Sequence, residues 1–355
     1  MRMLRGTLES PYEDLNIGGW QVDYACMCEE KVHDADNVFK VDFARNPMRF
    51  DKHMRAYRQL KKIIENGDYD AIHTHTPVGS IVTRMAAKAA HKKGVKVIYT
   101  CHGFHFYDGA PKQNWKLYYP LEKKMAKATD LLITINHEDC ERAKKEFACP
   151  VKMIDGAGVD TAKFQKTTKA EQKAAREKYG LAADDFAMVY LAEINANKNQ
   201  ELLIRAAAPI MRENKHVKLL FLGDGPLKNK MRALAKELGV SKQVIMPGYI
   251  RENFAALVQS CNLCVSASKR EGLGLGVLEC MLCGLPILIA DNRGHRDIVG
   301  KNKTCLFDFN DTDGLTEKMR DAIKDPKKYY MDFPERYSLR NSLTEMREIY
   351  KEILG

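Results

Sequence analysis

The chain has no apolar run long enough to cross a bilayer, a span of about 20 predominantly apolar residues, anywhere in its 355 positions. Its opening, Met1-Arg2-Met3-Leu4-Arg5-Gly6, lacks the apolar core of a signal peptide. A cytoplasmic protein is expected, with any membrane contact peripheral to the inner face. Negative charge is in deficit: 47 Asp and Glu stand against 57 Lys and Arg, a net charge of +10. No Gly-x-Gly-x-x-Gly follows the first strand pattern, which argues against hydride transfer to a dinucleotide. No Asp-x-Asp pair stands at a strand end beside the anion-binding turns described below, so neither a metal nor a cofactor is expected. No recognition motif accompanies the positive charge, so nucleic acid is not an expected partner.

What is present is a globular composition, 45% hydrophobic and 29% charged, on a length that suits two domains. Ten cysteines occur. Cys261-x2-Cys264 and Cys280-x2-Cys283 match a structural zinc pattern in form. One pair runs into a strand pattern and the other lies in a helix pattern, whereas zinc knuckles need a tight turn at each pair. Small buried apolar residues are the expected role, and no disulfides are expected in a reducing compartment. Arg45, Arg49, Lys52, Arg55, Arg58, Lys61 and Lys62 recur at helical spacing with only Asp51 between them. That face is either a solvated surface or a contact for anionic lipid headgroups or a phosphorylated substrate.

Short apolar runs alternate with amphipathic helices almost throughout. Strand patterns fall at residues 22–27, 70–75, 95–100 and 130–135, then at 186–191, 217–222, 243–246, 262–266, 286–290 and 304–307. Helix patterns fall at 51–65, 78–91, 137–147, 169–179, 199–212, 226–238 and 339–353. Alternation of this kind predicts an α/β protein with parallel sheets. Two doubly wound, Rossmann-like domains are expected, residues 1–165 and 166–335, facing each other across a cleft, with a C-terminal helix in 336–355 packing back on the first. Only about twenty residues precede the run at 22–27, too few for a first strand, glycine loop and helix of usual length. A short or irregular first strand near Arg2–Arg5, in a less stable first half, is therefore expected.

The densest chemistry lies in Arg270-Glu271-Gly272-Leu273-Gly274-Leu275-Gly276-Val277-Leu278-Glu279. Glu271 precedes a helix pattern and Glu279 falls about one turn inside it, so both can face one ligand. The glycines leave backbone N–H groups unshielded at a helix start, which suits an anion. Carboxylates that accept from hydroxyls beside N–H groups that donate to phosphate suit a sugar–diphosphate. A strand–turn–helix corner with two surface glutamates would look the same. Gly223-Asp224-Gly225-Pro226 closes another strand, with glycines that allow close backbone approach and a proline that starts a helix. Lys198 stands at the mouth of the helix after the 186–191 strand, as a phosphate partner or an exposed lysine. In the first half, His102 and Gly103 follow a strand directly, with His105 just beyond. His73 and His75 share a strand face; packing is the simpler role for His73.

Taken in order, these pieces resemble the family-4 retaining glycosyltransferases of the GT-B fold. The Glu271–Glu279 pair, Gly223-Asp224-Gly225-Pro226, Gly156-Ala157-Gly158-Val159-Asp160 with Phe164, and Lys198 occur at family-like spacing over nearly the whole chain. His75-Thr76-Pro77-Val78-Gly79, His102-Gly103-Phe104-His105-Phe106, Asn199-Gln200-Glu201 and Arg293-Gly294-His295-Arg296-Asp297 look like the branch that builds capsules and exopolysaccharides. The resemblance implies a metal-independent, retaining transfer of a hexose or N-acetylhexosamine from a UDP-sugar to a lipid-linked glycan or polysaccharide. It implies that Glu279 holds the ribose and that Glu271 with the backbone at Gly272, Leu273, Gly274 and Leu275 holds sugar and diphosphate. Gly223, Gly225 and Arg270 join that donor site. Lys198 neutralises the leaving diphosphate, His102 contacts the transferred sugar, and His75, Gly103 and His105 lie on the acceptor side.

Two departures stand out. The family usually has an arginine five residues before the lysine, and here that position is Glu193; Arg270, Arg293 and Arg296 are the candidate replacements. The acceptor-side glycine loop cannot be placed in residues 1–20. A UDP-sugar 2-epimerase of the same double-Rossmann plan, and a nucleotide-sugar-binding protein without turnover, are the alternative readings.

Overall fold

The structure is a computed structural model and describes residues 2–6, 20–27, 36–44 and 46–355. The chain divides into two compact units, Met1–Gly158 with Leu339–Gly355, and Val159–Ser338. Their border falls inside the Gly156–Asp160 motif.

The first unit runs β1 (Arg2–Gly6), β2 (Gln21–Cys26), β3 (Asn37–Lys40), α1 (Phe50–Asn66), β4 (Ala71–His75), α2 (Pro77–His91), β5 (Lys96–Cys101), α3 (Lys112–Ala126), β6 (Leu131–Thr134), α4 (His137–Glu146) and β7 (Val151–Met153). These strands form one parallel sheet in the order β3-β2-β1-β4-β5-β6-β7. The second unit runs α5 (Lys169–Lys178), β8 (Phe186–Leu191), α6 (Gln200–Glu213), β9 (Val217–Leu222), α7 (Lys228–Glu237), β10 (Val244–Gly248), α8 (Phe254–Gln259), β11 (Leu263–Ser266), α9 (Leu275–Leu282), β12 (Ile287–Ala290), α10 (Arg293–Val299), β13 (Leu306–Phe307) and α11 (Thr312–Lys324). Its sheet, also parallel, is ordered β10-β9-β8-β11-β12-β13. The last helix, α12 (Leu339–Leu354), belongs to the first unit, where Ser342 donates to Gly156 O.

The sequence explains these elements locally. Central strands such as β4, β6, β11 and β12 are buried at every residue, so they read as continuous runs, as parallel strands covered on both faces must. α1 buries Ala56, Leu60 and Ile64 at four-residue spacing, one helical stripe. A reciprocal cap between Thr168 and Glu171 opens α5.

The first strand departs from expectation. β1 has five residues and pairs without a slip, from Arg2 with Gln21 to Gly6 with Ala25, and with Ala71–His73 on its other side. It is short in sequence but regular, because two neighbouring strands supply its backbone partners and Met3 is buried between the layers. The expected place of the acceptor-side glycine loop lies outside the described residues.

The two sheet orders fix where ligands belong. In each, the winding direction reverses beside the first strand of the unit, and a crevice opens there beyond the C-terminal strand ends. In the second unit that point lies between β8 and β11. Lys198 follows β8 and Glu271 follows β11.

Candidate active site

Beyond the end of β8 the chain turns through Ala192–Asn199 before α6. Asn195 Oδ1 accepts from the N–H groups of Asn197 and Lys198, each at 3.0 Å, an Asx-type turn. Asn199 enters the helix in the left-handed region at φ 54°, which asparagine tolerates. Asn197 stitches this turn to the loop after β11: its Nδ2 donates to Arg270 O at 3.0 Å and its carbonyl accepts from Lys269 N at 2.9 Å. The two loops then bring Lys198 Nζ to 2.5 Å from Glu271 Oε1. Tyr190, at the end of β8, fastens the same pair from below, 3.1 Å from Lys198 O and 2.6 Å from Ser268 Oγ; Ser268 in turn bonds the Glu271 carboxylate.

Three glycines make room for this arrangement. A Cβ on Gly223 would lie 2.2 Å from Ala192 O, one on Gly225 2.4 Å from Ile194 O, and one on Gly276 2.6 Å from Leu191 O. The close approach that Gly223 and Gly225 permit is thus to the neighbouring loop. Ile194 N donates to Asp224 O and Leu227 N to Ile194 O, sealing that contact. Gly276 seats the first turn of α9 against the end of β8. A small pocket open to solvent results, lined among others by Tyr190, Lys198, Glu271, Gly274 and Leu275. Val277 N donates to Gly274 O at 3.0 Å, and the N–H groups of Leu275 and Gly276 before it have no intrahelical partner and suit an anion there.

Electrostatics divides the two glutamates. Burial pushes Glu271 up, but the charge of Lys198 and hydrogen bonds from Lys198 and Ser268 outweigh it, and the carboxyl sits below its usual range. Glu279, on α9, is pushed up to about 7 by burial; among the described residues the charge that opposes this is Lys163, in the turn Thr161–Phe164. The structure therefore gathers Lys198, Glu271, Gly274 and Leu275 around one pocket, with Glu279 one turn further along the helix that forms its wall. Arg270 contributes its carbonyl to the loop contact. Of the candidate replacements for the missing arginine, Arg293 is buried with Nε 3.3 Å from Glu271 O, and Arg296 pairs with Asp291 at 2.7 Å. Glu193 takes a hydrogen bond from Asn195 Nδ2 at 3.0 Å.

Of the four spaced cysteines, Cys261 precedes β11, Cys264 lies within it, Cys280 lies in α9 and Cys283 follows its last residue; the first three are buried and Cys283 is half-buried. Burial pushes Cys261 and Cys283 up to about 12 and Cys280 well above its ordinary value.

In the first unit His75 and His102 come together at the ends of β4 and β5. His75 Nδ1 lies 3.1 Å from His102 Nε2 with the rings stacked at 5.4 Å. His73 is enclosed, with Tyr350 OH at 2.5 Å and Thr100 Oγ1 at 2.8 Å, a packing role. Gly103 turns at φ 121°, Asp139 holds Phe104 N at 3.0 Å, and His105 packs its ring on Tyr118 at 4.6 Å. Tyr190, Ser268, Asn195 and His295 are the site residues that sequence reading did not reach. For Asn195 the Asn-x-Asn-Lys turn was an available signal.

Comparison with known proteins adds identity to this geometry. The family model "Glycosyltransferase Family 4" matches residues 15–162, and "Glycosyl transferases group 1" matches residues 171–337. EpsD of Bacillus subtilis, provisionally named a glycosyltransferase, is 40% identical over 94% of this chain and 89% of its own. The chain is a family-4 glycosyltransferase. An Escherichia coli galactosyltransferase, named for transfer from UDP-Gal to GlcNAc-diphosphoundecaprenol, is 29% identical to this glycosyltransferase over 83% of its chain and 78% of that relative. Among solved structures, Thermosynechococcus elongatus sucrose-phosphate synthase aligns with a TM-score of 0.83 at 18% identity, covering 99% of both chains. Anabaena HepE, solved in complex with UDP-glucose, aligns at 0.80 and 16% identity over 99% of this chain and 100% of that one. At such identities these two show the fold, which is GT-B.

Proposed function

We propose that this glycosyltransferase moves a hexose or N-acetylhexosamine from a UDP-sugar to a lipid-linked glycan or polysaccharide, with retention at the anomeric carbon. The observation that carries the reading is the Lys198–Glu271 pair at the switch point of the second sheet, beneath the start of α9. A diphosphate entering there meets the ammonium of Lys198 and the free N–H groups of the helix. Glu271, released from part of its bond to Lys198, accepts from sugar hydroxyls, and Glu279 accepts from the ribose. As the glycosidic bond breaks, charge grows on the diphosphate, where fixed donors stabilise it most. Retention corresponds to attack from the same face, the departing phosphate taking the acceptor proton. In the first unit His75 holds the ring of His102. HepE's UDP-glucose and the Escherichia coli enzyme's undecaprenol-linked acceptor support the donor and acceptor classes.

A cytoplasmic enzyme resting on an anionic membrane surface suits a lipid-linked acceptor. Met48, Phe50 and Met54 are 66%, 69% and 52% exposed around the start of α1, interleaved with Arg49, Lys52 and Arg55. Apolar side chains among cations suit an anionic interface. Among the described residues no helix is long and apolar enough to cross a membrane.

The test is incubation with a panel of UDP-sugars, following UDP release with and without membrane extract. Release that requires extract supports transfer. Conversion of the donor to an isomer supports a 2-epimerase instead, and binding without release supports a non-catalytic binder.

A further inference from the structure

His295 ends in an atom with nothing to bond. Its side chain is fully buried in the first turn of α10. Nδ1 has two neighbours: Ala290 O at 2.7 Å, which only accepts, and Asn292 Nδ2 at 3.0 Å, whose amide already donates to Ser268 O at 2.8 Å. The shorter contact, which needs a proton between its atoms, assigns that proton to Nδ1. Burial holds the imidazole below its usual range although Glu271 pulls the other way. The ring is therefore neutral and Nε2 is a bare acceptor. No hydrogen-bond partner reaches Nε2. A buried polar atom left unpaired is costly, and this one is kept against the pocket wall. It lies 3.2 Å from where a Cβ on Gly274, a pocket-lining residue, would stand, so only a residue without a side chain leaves space beside it on the pocket side.

The hydroxyls and the carboxylate around it are short of protons, and the Lys198 ammonium adds to burial in keeping the imidazole neutral. Glu271, ionised, only accepts. Tyr190, Ser266 and Ser268 own three hydroxyl protons between them, yet four contacts call on them: Tyr190 with Lys198 O, with Ser266 and with Ser268, and Ser268 with Glu271. A diphosphate brings acceptors alone and leaves Nε2 as it is. A sugar ring brings several O–H groups, each able to donate to Glu271 or to the imidazole.

We propose that His295 is a specificity residue for the transferred sugar, its Nε2 accepting from one sugar hydroxyl while Glu271 accepts from another. This rests on the donor site described under Proposed function and deepens it. A sugar lacking that hydroxyl leaves Nε2 unpaired, and sites built around a hydroxyl reject such analogues strongly.

The test compares UDP with UDP-glucose, UDP-galactose and UDP-N-acetylglucosamine by calorimetry on the wild type, His295→Leu and His295→Gln. Glutamine keeps an acceptor and guards against a merely structural effect. We expect His295→Leu to leave UDP affinity within about twofold and to weaken the tightest-binding UDP-sugar at least fivefold, with His295→Gln recovering most of the loss. Monodeoxy analogues of that sugar complete a cycle: the one that binds the wild type poorly binds His295→Leu no worse. Equal losses for UDP and UDP-sugar, or no loss for either, overturn the role of His295 and leave the donor site standing. A wild type that binds no UDP overturns the donor site itself.

Discussion

Two ion pairs in this molecule have the same length and opposite characters. Arg84 Nη2 and Glu122 Oε2, in the first unit, stand 2.5 Å apart, as do Lys198 and Glu271 in the second. The first pair is 2% and 1% exposed, the second 24% and 15%. Around Arg84 and Glu122 the bonding is closed. Arg84 also donates to Ser80 O and Ser80 Oγ, Tyr99 OH donates to Glu122 Oε1, and the guanidinium lies over the Tyr99 ring at 4.2 Å. Around Lys198 and Glu271 it is open, with a solvent-facing pocket, unused N–H groups and the unpaired Nε2 of His295. A pair whose partners are all internal holds α2 and α3 to the sheet. A pair with unused valences is set to exchange one partner for a ligand.

The sharpest break of this comparison is Glu122→Ala. It leaves Arg84 buried without its counter-charge, which typically costs about 3–5 kcal/mol. Denaturant unfolding should show the loss. An unchanged midpoint would mean that this pair is no more structural than the other.

Lys198→Ala comes next. Turnover should fall by about a hundredfold or more, with a smaller change in donor affinity, because the charge it meets grows in the transition state. Steady-state kinetics with the active UDP-sugar decide this. A rise in KM alone would make Lys198 a uniform binder and remove the contrast.

Glu279→Ala tests a carboxylate with no cation bonded to it. UDP binding should weaken by about 1.5–3 kcal/mol, the worth of hydrogen bonds to a charged group, and calorimetry with UDP alone reads it. The pH dependence sharpens the point. Burial holds the Glu279 carboxyl at about 7 in the free protein, and in the role proposed for it the ionised form is the stronger acceptor for the ribose hydroxyls. Affinity should therefore rise about tenfold from pH 6 to pH 8, and Glu279→Gln should abolish that rise, UDP's own ionisation being common to both. The sign for folding is the reverse. A carboxyl raised above its unfolded value of about 4.3 favours the folded state in acid, and that contribution is lost as pH rises from there to about 7. Ligand-free protein should lose thermal stability over that window, and UDP should restore it.

The smallest expected effect is that of a chelator. Lys198 and the first turn of α9 supply positive potential to a diphosphate without an ion, so initial rates in EDTA should equal those in buffer. Strict dependence on magnesium or manganese would contradict this.

Much of this was legible in the sequence. The buried runs of β4, β8 and β9 announce a parallel sheet, and Lys198, Glu271 and Glu279 stand out because their spacing against strand and helix ends is local. β3 and β7 were not legible, being short edge strands with half-exposed residues. α3 was hidden by its internal Pro120, whose missing N–H reads as a break although the helix runs through it. β1 was underestimated because pairing on both sides, invisible in five residues, makes it regular. Tyr190, Ser268 and His295 could not be found from spacing. Their roles depend on side chains from β8, the loop after β11 and α10 meeting across the sheet.

The fit of Gly223 and Gly225 against residues 192–194 ties two distant stretches of sequence into one mechanical part. A side chain at either glycine has nowhere to go except into the backbone that carries Lys198, so a change there is felt as a misplaced cation. Loops of this enzyme are therefore exchangeable with those of a relative only in matched sets. A graft of residues 192–199 is expected to keep donor binding when 223–227 travels with it and to lose it when moved alone, as calorimetry with UDP would read.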